Sequence, residues 1–197
     1  MSVLRPFKKA GPADSEKQLI QKAVAGDVSA FEQLVLRDEK KIFSFALSIS
    51  GGNKAVAEDI YQDALIKAFL NIDKFSNRSS FSTWLWKIIR NAYFDHLKSA
   101  RKWGDVSIED LEGFEPSMED RSEFEMIKDD RAAVLRKLIS ALPVSYSEVI
   151  TLVDLQEMGT DEVAELLDID KNLLKVRLHR ARAKLHEMIE KNMEFFK

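Results

Sequence analysis

In AEDIYQDALIKAFL, residues 57–70, apolar side chains return at Ala57, Ile60, Tyr61, Ala64, Leu65 and Ala68, which is the spacing of one helix face. Glu58, Asp59, Gln62 and Asp63 fall on the other faces. The same period recurs at Leu85, Ile88, Ile89 and Ala92, and again at Leu174, Leu178, Ala181 and Leu185. No segment alternates apolar and polar residues as a half-buried strand does. Turn formers are scarce, with 7 Gly and 4 Pro in 197 residues, while 45% of the residues are hydrophobic. The chain is expected to be all-helical, with enough apolar surface for ordinary cores.

Punctuation between the periodic stretches divides them into helices. Ser15 is expected to cap a helix running to Ala25 before Gly26, a second runs from about Ser29 to Ile49 ahead of Gly51 and Gly52, and a third starts near Asn53. A fourth spans about Ser82 to Lys102. After Pro143 another begins, where Ser145 and Glu148 have capping-box spacing. Gly159 stops it, Thr160 can cap a short helix in DEVAELL, and Asp170 can cap a longer one after the turn DID. Two short helices joined by a tight turn read as a helix-turn-helix.

A net charge of -3 conceals strong segregation. From Gly104 to Asp130 there are eleven acids against Arg121 and Lys128 alone, with Gly113, Pro116 and no sustained apolar period. The expected organisation is an extension over 1–14, a helical domain over 15–103, an acidic linker over 104–125 and a second helical domain over 126–197. The chain lacks cysteine, which excludes disulfides, thiolate nucleophiles and thiolate zinc sites, and its 3 His form no pair at metal spacing. No cofactor or metal is expected. Nothing resembles a signal peptide or a membrane span, so the protein is expected to work in the cytoplasm without inserting in a membrane.

The basic residues form two patterns. Along the fourth helix Lys87, Asn91, Phe94, Lys98 and Arg101 share the side opposite the core, with Arg90 beside them. Cations for phosphates and an aromatic face for a base suit a nucleic-acid strand. Immediately upstream, Asn77, Arg78, Ser79 and Ser80 form a polar loop bracketed by Phe75 and Phe81, able to receive an unstacked base or simply to cap a helix. On the last helix Asn172, Val176, His179, Arg180 and Ala183 lie opposite the core stripe, flanked by Lys171, Lys175 and Arg182 on one side and Arg177 and Lys184 on the other. A narrow strip between cationic margins fits the major groove, with the margins on phosphates. The helix macrodipole would account for cations in the last turn only.

LPVSYSEVITLVDLQEMGTDEVAELLDIDKNLLKVRLHRARAKL resembles region four of bacterial RNA polymerase sigma factors, and AEDIYQDALIKAFLNIDKFSNRSSFSTWLWKIIRNAYFDHLKSARK resembles their region two. The two in this order, with no third region between them, are similar to the compact extracytoplasmic-function class. The resemblance implies a transcription initiation factor, not an enzyme. Core RNA polymerase would dock on Glu58, Asp59, Gln62 and Asp63. The loop 77–80, Phe75 and the Lys87 to Arg101 stripe would take the -10 element, and the last helix would bind the -35 element. An anti-sigma factor, in the family commonly membrane-bound, is the further partner it implies. Asn172, Leu173, Leu174 and Val176 stand where the family usually has Gly, Thr, Val and Ser, and Asp168 replaces a common turn Gly. Two readings from other classes are an activator that binds duplex DNA without polymerase, and a hydrolase holding a metal on Glu58, Asp59 and Asp63. The latter three span little more than one turn of a single helix.

Overall fold

The structure is a computed structural model, and residues 15–76, 79–100 and 131–193 are described. The linker 104–125, the extension 1–14, Asn77, Arg78 and Arg101 lie outside these residues. The described residues form eight α-helices: α1 (Glu16–Val24), α2 (Val28–Ile49), α3 (Lys54–Leu70), α4 (Phe81–Ala100), α5 (Arg131–Ser140), α6 (Val144–Ile150), α7 (Thr160–Leu167) and α8 (Lys171–Lys191). None is long and apolar enough to cross a membrane.

Local chemistry explains most boundaries. Ser15 and Gln18 form a reciprocal capping box at α1, while Asp27, Asn53 and Asp170 each accept a backbone amide at the start of α2, α3 and α8. Gly26 ends α1 at φ 91°, a region an L side chain rarely enters.

Two expected caps are corrected. α6 begins at Val144 with Pro143 at its cap position, so Ser145 lies inside the helix and its hydroxyl has no partner among the described residues. Glu148 instead turns away to the first helical unit. Thr160 is the first residue of α7, and Gly159 occupies the cap position without a side-chain bond. α6 starts directly after Pro143 as expected, so only the capping group differs, and α7 starts one residue earlier than a Thr160 cap would place it.

In the first unit, α2, α3 and α4 pack against one another around the fully buried Leu34, Ile42, Phe45, Ile49, Ile60, Leu85 and Ile89. α2 kinks at Asp38 (φ -122°, ψ 16°) as it wraps this core. In the second unit α6 and α5 pack on α8, with α7 closing the turn. α6 ends in one wide turn, Thr151–Leu155, closed by the Gln156 amide on the Thr151 carbonyl.

The two units do not stand apart. α5 and α6 pack against α2, and α7 packs against α4, so the buried cluster running from Leu19 to Tyr93 continues through Ile139, Val149 and Leu152 to Ala181. Domain contact of this kind has no local sequence signal, since each surface also satisfies the pattern of a separate unit.

Candidate nucleic-acid interface

The turn that aims α8 is made by Asp168, which adopts φ 57°, ψ 47°, the left-handed region that a glycine there would enter without strain. The Ile169 amide returns to the Ala164 carbonyl, and the Asp170 carboxylate accepts from the Asn172 amide at 2.7 Å. Leu174, Leu178 and Ala181 then bury against the domain core. At 100° per residue this fixes the opposite strip in space. Asn172, Val176, His179, Arg180 and Ala183 are all exposed, as are Lys171, Lys175 and Arg182 beside them.

The cationic margins are not equivalent. Lys171 pairs with Asp161 at 2.8 Å, tying the first turns of α7 and α8 together. Arg182 is held by Asp154 through Nε at 3.0 Å and a second guanidinium nitrogen at 2.5 Å; hydrogen bonding to that carboxylate pushes its pKa further up. No described residue engages the side chains of Lys175, His179 or Arg180. Arg177 is buried at 5% exposure, so in this conformation it lies under the helix rather than on its phosphate-facing margin; Lys184 is half-buried. Leu173 and Val176 remain 41% and 45% exposed on an otherwise polar surface.

On the first unit, Lys87, Asn91 and Lys98 are exposed along one side of α4 and Phe94 is half-buried among them. On either side of the polar stretch the rings pack together: Phe75 on Phe81 at 6.2 Å and on Trp84 at 5.4 Å, and Phe81 on Phe31 at 5.8 Å. Phe75 and Phe81 are therefore buried, while Trp84, passed over in the sequence, is half-buried and packs on both rings. Ser80 caps α4 by accepting the Thr83 amide at 3.1 Å, and α1 adds a second cap, Glu16 accepting the Phe81 amide at 3.2 Å. Ser79 is exposed. Arg90 lies over the Phe94 ring at 4.9 Å but is 5% exposed, covered by the second unit.

A third surface lies on α3. Glu58, Asp59, Gln62 and Asp63 are exposed. Lys54 stands 3.7 Å from Glu58, and Lys67 bridges Asp63 at 2.8 Å and Asp95 at 3.2 Å, which raises the Lys67 pKa chiefly through the Asp63 hydrogen bond. Asp59 and Gln62 have no side-chain partner among the described residues. Ile66 and Leu70 continue the same face at 61% and 71% exposure, out of phase with the core stripe. Among the described residues no group of three or more His, Cys, Asp or Glu is arranged to hold a metal.

Residues 34–103 match the family described as Sigma-70 region 2, and residues 132–185 match Sigma-70, region 4. The ECF RNA polymerase sigma factor SigW of Bacillus subtilis (strain 168) is 29% identical over 180 residues, an alignment covering 88% of this chain and 96% of that protein. The chain belongs to the extracytoplasmic-function class of sigma factors. This sigma factor is also 27% identical over 187 residues to the ECF RNA polymerase sigma-E factor of Haemophilus influenzae, covering 91% of the chain and 96% of that relative. Its fold is shared with two solved structures. CnrH in complex with the cytosolic domain of CnrY superposes with TM-score 0.63 at 24% identity, over 90% of this chain and 99% of that one. The sigma factor RpoE in complex with the anti-sigma factor NepR from Bartonella quintana gives 0.61 at 23% identity, over 83% and 98%.

Proposed function

We propose that this sigma factor directs core RNA polymerase to promoters through three separate surfaces. The α3 face of Asp59, Gln62, Ile66 and Leu70 docks on polymerase. The exposed strip of α8 lies in the major groove of a -35 element. The loop 77–80 and the α4 stripe take the displaced strand of a -10 element, with Lys87 and Lys98 on phosphates and Phe94 and Trp84 offering faces for bases. The observation that carries this reading is the pairing of a capped, exposed reading helix with a different unit on which exposed Lys87, Asn91 and Lys98 run beside half-buried Phe94. One surface suits duplex DNA and the other an unstacked strand.

Such a chain would make and break no covalent bonds. Strand separation follows from differential binding: holding an extruded base and its neighbours in the open state offsets an unstacking cost of a few kcal/mol. Work of this kind places the protein with polymerase and DNA in the cytoplasm. An anti-sigma factor is the further partner proposed; the RpoE structure was captured with one.

The deciding experiment mixes purified core polymerase with this protein and maps transcripts from a genomic promoter library. Initiation at a defined set of sites, absent with core alone, is expected. Binding to duplex fragments with no gain in initiation would replace this reading with that of an activator.

A further inference from the structure

Arg90 points from the strand-binding side of α4 into the second unit, where its Nε donates to the Glu148 carboxylate of α6 at 2.8 Å. The pair is almost completely enclosed, with 7% of the Arg90 side chain and 1% of Glu148 exposed. A second carboxylate reaches the same side of the first unit one helix later. Glu162 of α7 accepts the Thr83 hydroxyl at 2.7 Å, and Thr83 in turn contacts the Ser80 hydroxyl at 2.7 Å, at the edge of the polar loop. Carboxylates meeting a guanidinium and a hydroxyl stand where phosphate oxygens of a strand would stand.

We propose that the second unit caps the strand-binding surface of the first in cis, with Glu148 and Glu162 occupying donor groups that the -10 strand would otherwise use. This rests on the function proposed above. Two features of the same geometry give the closed form its character. The reading strip of α8, Asn172, Val176, His179 and Arg180, stays exposed while Arg90 and Thr83 are covered. Duplex binding therefore remains open in the closed form, and strand binding is competed.

The closed form also cannot serve both elements together. Sites roughly 25 base pairs apart are separated by about 85 Å at 3.4 Å per pair, whereas a compact body of this chain length has a radius of gyration of about 16 Å. The thirty residues 101–130 between α4 and α5 can span at most about 100 Å when fully extended. Covalently, the units are free to part that far; energetically, they must first give up the Arg90–Glu148 contact.

The chain has no cysteine of its own, so a crosslink can hold the closed form. A Cβ placed on Gly52 would lie 3.5 Å from the Ser140 Cβ across the two units, within the range a disulfide requires. Full-length Gly52→Cys with Ser140→Cys is titrated, oxidised and reduced, against a labelled single-stranded DNA of about twelve nucleotides and against a mixed-sequence duplex. The expected result is single-strand binding about tenfold weaker in the oxidised form, because affinity scales with the open fraction, and duplex binding unchanged. Gly52 has φ +78°, which strains any replacement. Glu148→Gln with Glu162→Gln therefore tests the converse, and should tighten single-strand binding about fivefold while leaving duplex binding within twofold. Single-strand affinity indifferent to both oxidation and the glutamine changes would overturn the proposal. Failure of every form to bind single-stranded DNA would likewise overturn this inference, whereas the initiation reading stands or falls separately on transcription with core polymerase.

Discussion

Truncating Ile66 and Leu70 to alanine separates a contact with polymerase from a contact within the fold. Both side chains project into solvent, at 61% and 71% exposure, on the face that also carries Asp59 and Gln62. Fully burying an Ile or Leu side chain contributes about 1.5–3 kcal/mol, and roughly two-thirds of each surface here is still available to a partner. Complete burial on docking is therefore worth about 1–1.5 kcal/mol per residue once the remaining alanine is allowed for, or about 2–3 kcal/mol for the pair. That corresponds to a Kd for core polymerase weakened by roughly thirty- to 150-fold. Because little of either side chain is buried in the free protein, and alanine favours helix, the melting temperature should move by no more than a degree or two. Fluorescence titration of core polymerase together with thermal unfolding by circular dichroism measures both quantities. A double variant that binds polymerase as tightly as the parent would refute the docking face, and one that loses binding only in proportion to unfolded protein would refute the claim that these side chains are reserved for a partner.

Asp59→Arg with Gln62→Ala should also weaken core-polymerase binding in a pull-down titration, while the reading helix keeps its DNA affinity. On α8, Arg180→Ala should broaden the -35 preference by about 1–3 kcal/mol at one base pair, whereas Lys175→Ala should weaken all sequences alike and reduce the salt slope by roughly one unit, both read from binding to a randomised -35 library across salt concentrations. Asn77→Ala should slow promoter opening in a permanganate footprint, with partial rescue on a premelted bubble; an equal defect on duplex fragments lacking the -10 element would remove the loop from strand capture. Burial, reinforced by the nearby Glu39 charge, pushes the Tyr61 phenol up to about 12. The unfolded phenol ionises near pH 10, so the stability tied to its neutral form is intact below about pH 10 and is lost as the pH climbs toward 12. Its hydroxyl has no partner among the described residues, so Tyr61→Phe should add about 1 kcal/mol and flatten the fall in melting temperature above about pH 10.

What the chain's order of residues determined is what repeats at helical spacing. The stripes at Ala57 to Ala68, Leu85 to Ala92 and Leu174 to Leu185 set which faces turn inward, and by subtraction they exposed Asp59, Gln62, Lys87, Asn91, Asn172 and Arg180. Side-chain caps that act within three residues, at Ser15, Asn53 and Asp170, were legible for the same reason. The left-handed turn at Asp168 was legible only through resemblance, since aspartate does not by itself demand that conformation. Contacts between distant segments left no such mark. Arg90 and Glu148 are 58 positions apart, and each had a satisfactory local reading, one as a phosphate contact and the other as half of a capping box. Arg177 likewise belongs by spacing to a cationic margin, yet packing buries it. Ile66 and Leu70 fall outside the apolar stripe by spacing, and the structure leaves both exposed. A helical period reports which side of a segment is apolar, but a long charged side chain can serve water, DNA or another domain from the same position on that helix. Only the arrangement of α2, α4, α6 and α7 in space decides among them, because desolvating a charge is tolerated only where the fold brings its counter-charge within hydrogen-bonding distance.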